Sequence, residues 1–334
     1  MFIAVNVLRK DGIMRGKNTI TGANKVFFTF TVIFLFFQFL LTIIVGFLSV
    51  VIGVEFANEF LNRNIYPILL INQFVIILIP VLVYTFVNKL DVKEVFRLNK
   101  LDFAPAVIIT LIAVPAYFVA VMLNTIVVYI LQFIGNVPAQ PLPVPQNLPE
   151  LIKGILIVGV TPSICEEMLH RGIMLSAYER RGSKKAVVIT AIFFGIFHFD
   201  ITNLLGATFL GLLIGYYVIK TNSIFAGALA HFLNNTINEL LQYLLRDNVK
   251  PSDEIIRVPV EELFGAVLYG IMGLIIIGLL LAIFNRITRG KYIMKPPIST
   301  VRKDFVSIVS HWPIIVIIVV YVLLTVMFIS SIAV

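Results

Sequence analysis

Long apolar runs recur along this chain, and they leave few ways for it to fold. A helix that crosses the roughly 30 Å hydrocarbon layer needs about 20 predominantly apolar residues. The run from about Val26 to Val54 already exceeds that length. It is also well beyond the 7–15-residue apolar segment of a signal peptide, so it reads as a retained first span. The composition agrees: 59% of the 334 residues are hydrophobic, 13% are charged, and the mean hydropathy is +1.00. Soluble domains carry about 25% charged residues. The chain therefore reads as an all-α, polytopic transmembrane helical bundle. Its 28 Phe suit lipid-facing and interhelical surfaces, and a single cysteine, Cys165, leaves no internal disulfide framework and no cysteine-based metal site.

Nine runs are candidate spans: residues 26–53, 65–88, 104–134, 151–178, 184–199, 203–219, 222–245, 262–285 and 312–333. The fifth and sixth are short, with Asp200 and Asn203 between them, and read as a hairpin, so that eight to nine crossings are expected. With the N-terminus inside, 20 of the 26 Lys and Arg fall on inside segments and 5 on outside ones, while Arg171 lies within a span. That asymmetry follows the positive-inside rule. It predicts a cytoplasmic N-terminus and an extracytoplasmic C-terminus for a multi-pass protein of a cell membrane. The basic residues flank apolar runs as orientation signals do, so the net charge of +8 points to the lipid bilayer as partner and not to nucleic acid.

The expected order is a basic N-terminus (1–25), N-terminal helices (26–135), a Pro-rich extracytoplasmic loop (136–150), a central helical core (151–245) and C-terminal helices (246–334). Residues 91–103 read either as a short helix in the membrane interface or as a solvated loop. Residues 136–150 carry Pro138, Pro141, Pro143, Pro145 and Pro149 and read as an extended spacer. Trp312 and Tyr321 suit interfacial anchoring of the last span, with His311 as an ordinary residue at its edge. No internal repeat and no soluble domain stands out.

Within the fourth span, Glu166, Glu167, His170 and Arg171 place four ionisable side chains in apolar surroundings. A charged side chain at a helix centre costs roughly 2.5–3.5 kcal/mol on insertion scales, so a functional reading is the default. Glu167 and Arg171 are four residues apart, share a helix face and read as a structural ion pair. Glu166 points about 100° away and has in its own motif only His170, four residues on. The fifth span ends its aromatic run at His198, and the seventh holds His231 and Asn235 four residues apart. Taken singly, each histidine reads as a packing residue. Measured from the nearest cytoplasmic cation, however, Glu166, His198 and His231 lie roughly 21, 21 and 16 Å deep at 1.5 Å per residue. Their shared level argues for one buried polar cluster.

Glu166-Glu167-x-x-x-Arg171, Phe194-x-x-x-His198 and His231-x-x-x-Asn235, in that order on successive helices, resemble the motifs of the CAAX-protease and bacteriocin-processing (CPBP, Abi) family of intramembrane proteases. The resemblance covers residues from about 150 to 245. It implies an endopeptidase in which Glu166, assisted by His198, activates a water, and His231 and Asn235 donate hydrogen bonds to the oxyanion, with Glu167 and Arg171 structural. The substrate it implies is a peptide or protein at the membrane, prenylated at its C-terminus or bacteriocin-like. Members have been described both as metalloproteases and as glutamate proteases. Glu166, His198 and His231 are a permissible set for zinc, yet His-Glu-x-x-His is absent, and metal-independent chemistry is favoured. Two rival readings stand beside the peptidase: a proton-coupled transporter, which also buries Glu, His and Arg, and a non-catalytic membrane scaffold.

Overall fold

The computed structural model describes residues 16–138, 143–246 and 255–333. Most of the basic N-terminus, Pro141 of the Pro-rich spacer and Lys250 lie outside the described residues. The protein is 80% helical. Its helices are α1 (Ile20–Val51), α2 (Val54–Val87), α3 (Val92–Val95), α4 (Phe103–Leu131), α5 (Leu148–Arg181), α6 (Ser183–Phe197), α7 (Leu204–Thr221), α8 (Ile224–Leu244), α9 (Val260–Ile287), α10 (Val301–Val309) and α11 (Trp312–Ile332). Two short strands, β1 (Val137–Pro138) and β2 (Ile255–Ile256), pair antiparallel with Val137 opposite Ile256.

Among the described residues, seven helices are long and apolar enough to cross a membrane: α1, α2, α4, α5, α7, α9 and α11. The chain is an integral membrane helical bundle. The other two expected spans differ in kind. With 15 residues, α6 is only about 22 Å long, short of the hydrocarbon thickness. With 21 residues α8 is long enough, but His231, Asn234, Asn235, Asn238, Glu239 and Gln242 run along it. The second span also starts eleven residues earlier than expected. A single glycine, Gly53 at φ +125°, turns the chain from α1 straight into α2, in a backbone region that favours glycine.

Two spans are not uniformly α-helical. Residues Ile71–Leu78 of α2, and Ile155–Val160 and Met168–Met174 of α5, are π-helical. The first two stretches stop just before Pro80 and Pro162. A proline has no N–H for the carbonyl four residues back and its ring crowds that carbonyl, so a widened turn ahead of it relieves the conflict. Such π-turns cluster at functional sites.

The connection at 91–103 is neither the interfacial helix nor the solvated loop. Only Val92–Val95 is helical, and the chain then turns inward, burying Phe96 and Arg97. Arg97 donates to Glu179 (2.7 Å) at the end of α5 and to Asn222 (2.9 Å) between α7 and α8. Glu179 also accepts from Ser183, Lys295 and Tyr292. A buried charge needs such partners, and this set ties four segments together at one end of the bundle. His311 is likewise more than an edge residue: its Nδ1 accepts from Asn24 Nδ2 (2.9 Å), whose Oδ1 accepts from Tyr178 (2.7 Å), linking α1, α5 and α11.

Nearby, Asp304 of α10 accepts from Arg181 and Lys185 and from Ser299. Burial pushes its carboxyl up, but the hydrogen bonds from Lys185, Ser299 and Arg181 and the Lys185 charge outweigh it and lower the pKa to about 2. A carboxyl lowered in the folded state contributes stability that is present above its unfolded pKa, about 3.9, and is lost as pH falls towards 2. Detergent-solubilised protein should therefore lose thermal stability between about pH 4 and pH 2. Asp304→Asn should be less stable at pH 7 and should show a flatter profile over that window; an unchanged profile would remove Asp304 from the acid response.

Candidate active site

Three helices, α5, α6 and α8, carry the expected polar residues. Glu166 and Glu167 end the α-helical turn that Pro162 begins in α5; both are buried, at 6% and 0% exposure. Glu167 Oε1 accepts from Arg171 Nη1 (2.8 Å), and Arg171, 1% exposed, also donates to Gly211 O of α7 (3.3 Å). The expected ion pair is present, and it extends further: the same Glu167 oxygen is 3.0 Å from His231 Nδ1 of α8. Arg171, Glu167 and His231 thus form a continuous relay across α5 and α8. A carboxylate held by a guanidinium is an acceptor, so His231 Nδ1 carries the hydrogen in this bond. His231 Nε2 is left facing Glu166 Oε2 at 3.9 Å, too far for a direct hydrogen bond.

The two glutamates have different partners. Glu167 is held by a cation and an imidazole. Glu166 Oε1 accepts from Gln73 Nε2 of α2 (2.8 Å), while its Oε2 is buried with no donor. His170 is not that donor, although four-residue spacing suggests it. The π-helical turn starting at Met168 changes the register. His170 is instead fully buried, with both ring nitrogens unpartnered, among Phe27, Phe194 and Phe197 at ring separations of 6.0, 5.0 and 4.8 Å.

His198 caps the C-terminus of α6, where its Nδ1 is 2.8 Å from Phe194 O. A carbonyl only accepts, so Nδ1 is the donor and Nε2 presents a lone pair. The Phe194 ring lies edge to face with both His198 (5.1 Å) and His231 (5.6 Å), and the Arg171 guanidinium sits over it at 4.5 Å. Phe194 therefore packs between the two histidines as well as setting the end of its own helix. Among the described residues, no hydrogen bond or ion pair joins His198 to Glu166.

Asn235, one turn beyond His231, donates to Val158 O (2.9 Å). Val158 is four residues before Pro162, so its carbonyl is the one that lacks the N–H of a regular α-helix. Proline and asparagine thus complement each other across α5 and α8. One amide hydrogen of Asn235 remains for another acceptor. Among the described residues, no group of three or more His, Cys, Asp or Glu gathers as a set of metal ligands.

Close approach of α8 to Glu167 depends on Gly227. A Cβ there would stand 2.6 Å from Glu167 Oε2 and 2.8 Å from Val218 Cγ2. Gly227→Ala should cost about 1–3 kcal/mol, the usual range for overpacking. Gly215→Ala, whose methyl meets Val187 at an ordinary 3.4 Å, should be neutral or stabilising. Thermal unfolding of both variants in detergent checks the contrast; equal stabilities would mean the helix contact is slack.

Residues 148–237 match the family model described as Type II CAAX prenyl endopeptidase Rce1-like. A protein of Bacillus subtilis (strain 168) named "Putative membrane peptidase YdiL" is 30% identical over 89 residues, which is 26% of this chain and 36% of that protein. The chain thus spans about a third of the length of that relative. No solved structure gives a significant match. The matched segment, which is thus similar to the CAAX-protease family of membrane peptidases, contains Glu166, Glu167, Arg171, His198, His231 and Asn235, the residues described above.

Proposed function

We propose that this protein is a CAAX-type membrane endopeptidase in which Glu166 is the general base. The observation that carries the reading is the facing pair of Glu166 Oε2 and His231 Nε2, 3.9 Å apart, each with an unused lone pair. Two acceptors at that separation can both hold one water molecule by its two hydrogens. Such a water has its own lone pair directed away from them, towards a scissile carbonyl.

The chemistry follows from these groups. Glu166 Oε2 takes a proton from the water as the oxygen attacks the carbonyl carbon, forming a C–O bond and moving the C=O pair onto oxygen. Asn235 donates its remaining amide hydrogen to that oxyanion, a contribution of about 3–4 kcal/mol for one well-placed donor. With its ring hydrogen on Nδ1 in the bond to Glu167, His231 has none on Nε2 to give the oxyanion and serves as the second acceptor of the water. The proton on Glu166 then passes to the leaving nitrogen as the C–N bond breaks. His198 Nε2, an acceptor in its present tautomer, shares that proton in transit.

The substrate class is a peptide segment presented at the membrane. Purified protein should be assayed against matched prenylated and unprenylated C-terminal peptides and a leader-peptide precursor. Glu166→Gln should fold and lose at least 10²–10³-fold in kcat, the range reported when a catalytic acid-base group or an oxyanion donor is removed. A chelator should leave wild-type cleavage unchanged. Wild-type rates in Glu166→Gln would overturn the assignment of the base, and loss on chelation with recovery on adding zinc would overturn the metal-independent chemistry.

A further inference from the structure

Gln73 stands outside every motif and outside residues 148–237, yet it reaches the proposed base. Asn72 and Gln73 are adjacent carboxamides in the otherwise apolar Ile65–Val87 portion of α2. Burying an amide in hydrocarbon is costly unless it is hydrogen-bonded, so its partner is informative. Gln73 is 5% exposed, and its Nε2 donates to Glu166 Oε1 at 2.8 Å. It projects from the π-helical stretch Ile71–Leu78, which ends two residues before Pro80, and so from a turn already displaced from regular α-helical register.

We infer that Gln73 is the positioning residue of this site: it pins one oxygen of Glu166 so that the other faces His231 and the substrate. The inference rests on the reading of Glu166 as base. A carboxylate on a two-carbon stem can rotate, and both its oxygens are chemically equal until one is engaged. Gln73 makes them unequal by occupying Oε1, leaving Oε2 without a donor and 3.9 Å from His231 Nε2. A carboxamide suits this job because it neither titrates nor brings a counter-charge. Glu167 shows the contrast, since Arg171 and His231 both hold it and leave it a structural anchor. The site is therefore completed by α2: an N-terminal span that carries no recognised motif supplies a group acting through the base.

The test measures kcat and KM separately, with thermal midpoints, for Gln73→Met and Gln73→Asn in the purified full chain. Glu166→Gln is the reference and Asn72→Leu the neighbouring control. Methionine keeps the length and removes the donor; asparagine keeps the donor and withdraws it by one methylene. A misplacement of about 1 Å can cost on the order of 10²-fold, so kcat should fall 10- to 100-fold in both variants, with KM within twofold. Asn72→Leu should keep wild-type kcat. Unchanged kcat in both variants, or a raised KM with kcat retained, overturns the inference. Failure of both variants to fold would assign the contact to stability alone and overturn it as well. Wild-type cleavage by Glu166→Gln would fail the reading of the base itself, and the role of Gln73 with it.

Discussion

Everything else in the core is arranged around a charge that the membrane cannot tolerate alone. Arg171 is 1% exposed inside a bundle that spans lipid, and it needs a counter-charge and further acceptors. Glu167 supplies the first and Gly211 O the second, while Phe194 covers the guanidinium face. Satisfying one cation thereby requires α5, α6 and α7 to meet at one place. The pairing is weak evidence for stability, because desolvation offsets most of the Coulomb gain. What it does provide is geometry. The Glu167 oxygen that accepts from Arg171 also accepts from His231, and that bond fixes which imidazole nitrogen faces Glu166.

The irregular helices serve the same end. A regular α-helix over residues 148–181 would put His170 beside Glu166 and leave no special carbonyl for Asn235. Pro162 and the flanking π-helical stretches change both: Val158 O becomes a partner for Asn235, and His170 moves into a cage of phenylalanines. The π-helical turn in α2 presents Gln73 at the same level. Backbone irregularity at membrane depth is tolerated where protein surrounds it, and here it brings the buried Gln73, Gly159 and His170 into the core.

Polar interactions at the ends of the bundle close the remaining connections. Arg97, Glu179 and Lys295 join the α3 segment, α5 and the linker before α10, while Asn24 joins Tyr178 and His311. The second set holds α1 and α11 against α5, and Arg97 anchors the segment that follows α2, the helix that brings Gln73.

Fold class and membrane insertion were legible in the sequence, because a hydrocarbon layer demands apolar runs of a fixed length and satisfied backbones. The polar residues of the candidate site were legible too, since Glu166, Glu167, Arg171, His198, His231 and Asn235 are polar where hydrophobicity is the rule, and the four-residue spacing of Glu167 and Arg171 states their pairing outright. The irregularities were signalled only by Pro80 and Pro162, whose effect on register depends on what packs around them. Other features came from tertiary structure alone: the shared use of Glu167 by Arg171 and His231, the exile of His170, the inward turn of Arg97 and the bond from Gln73 to Glu166. Spacing along one helix decides which side chains share its face. Only the approach of a second helix, nearly a hundred residues away in sequence for Gln73 and Glu166, decides which oxygen of a carboxylate is engaged and which is left free.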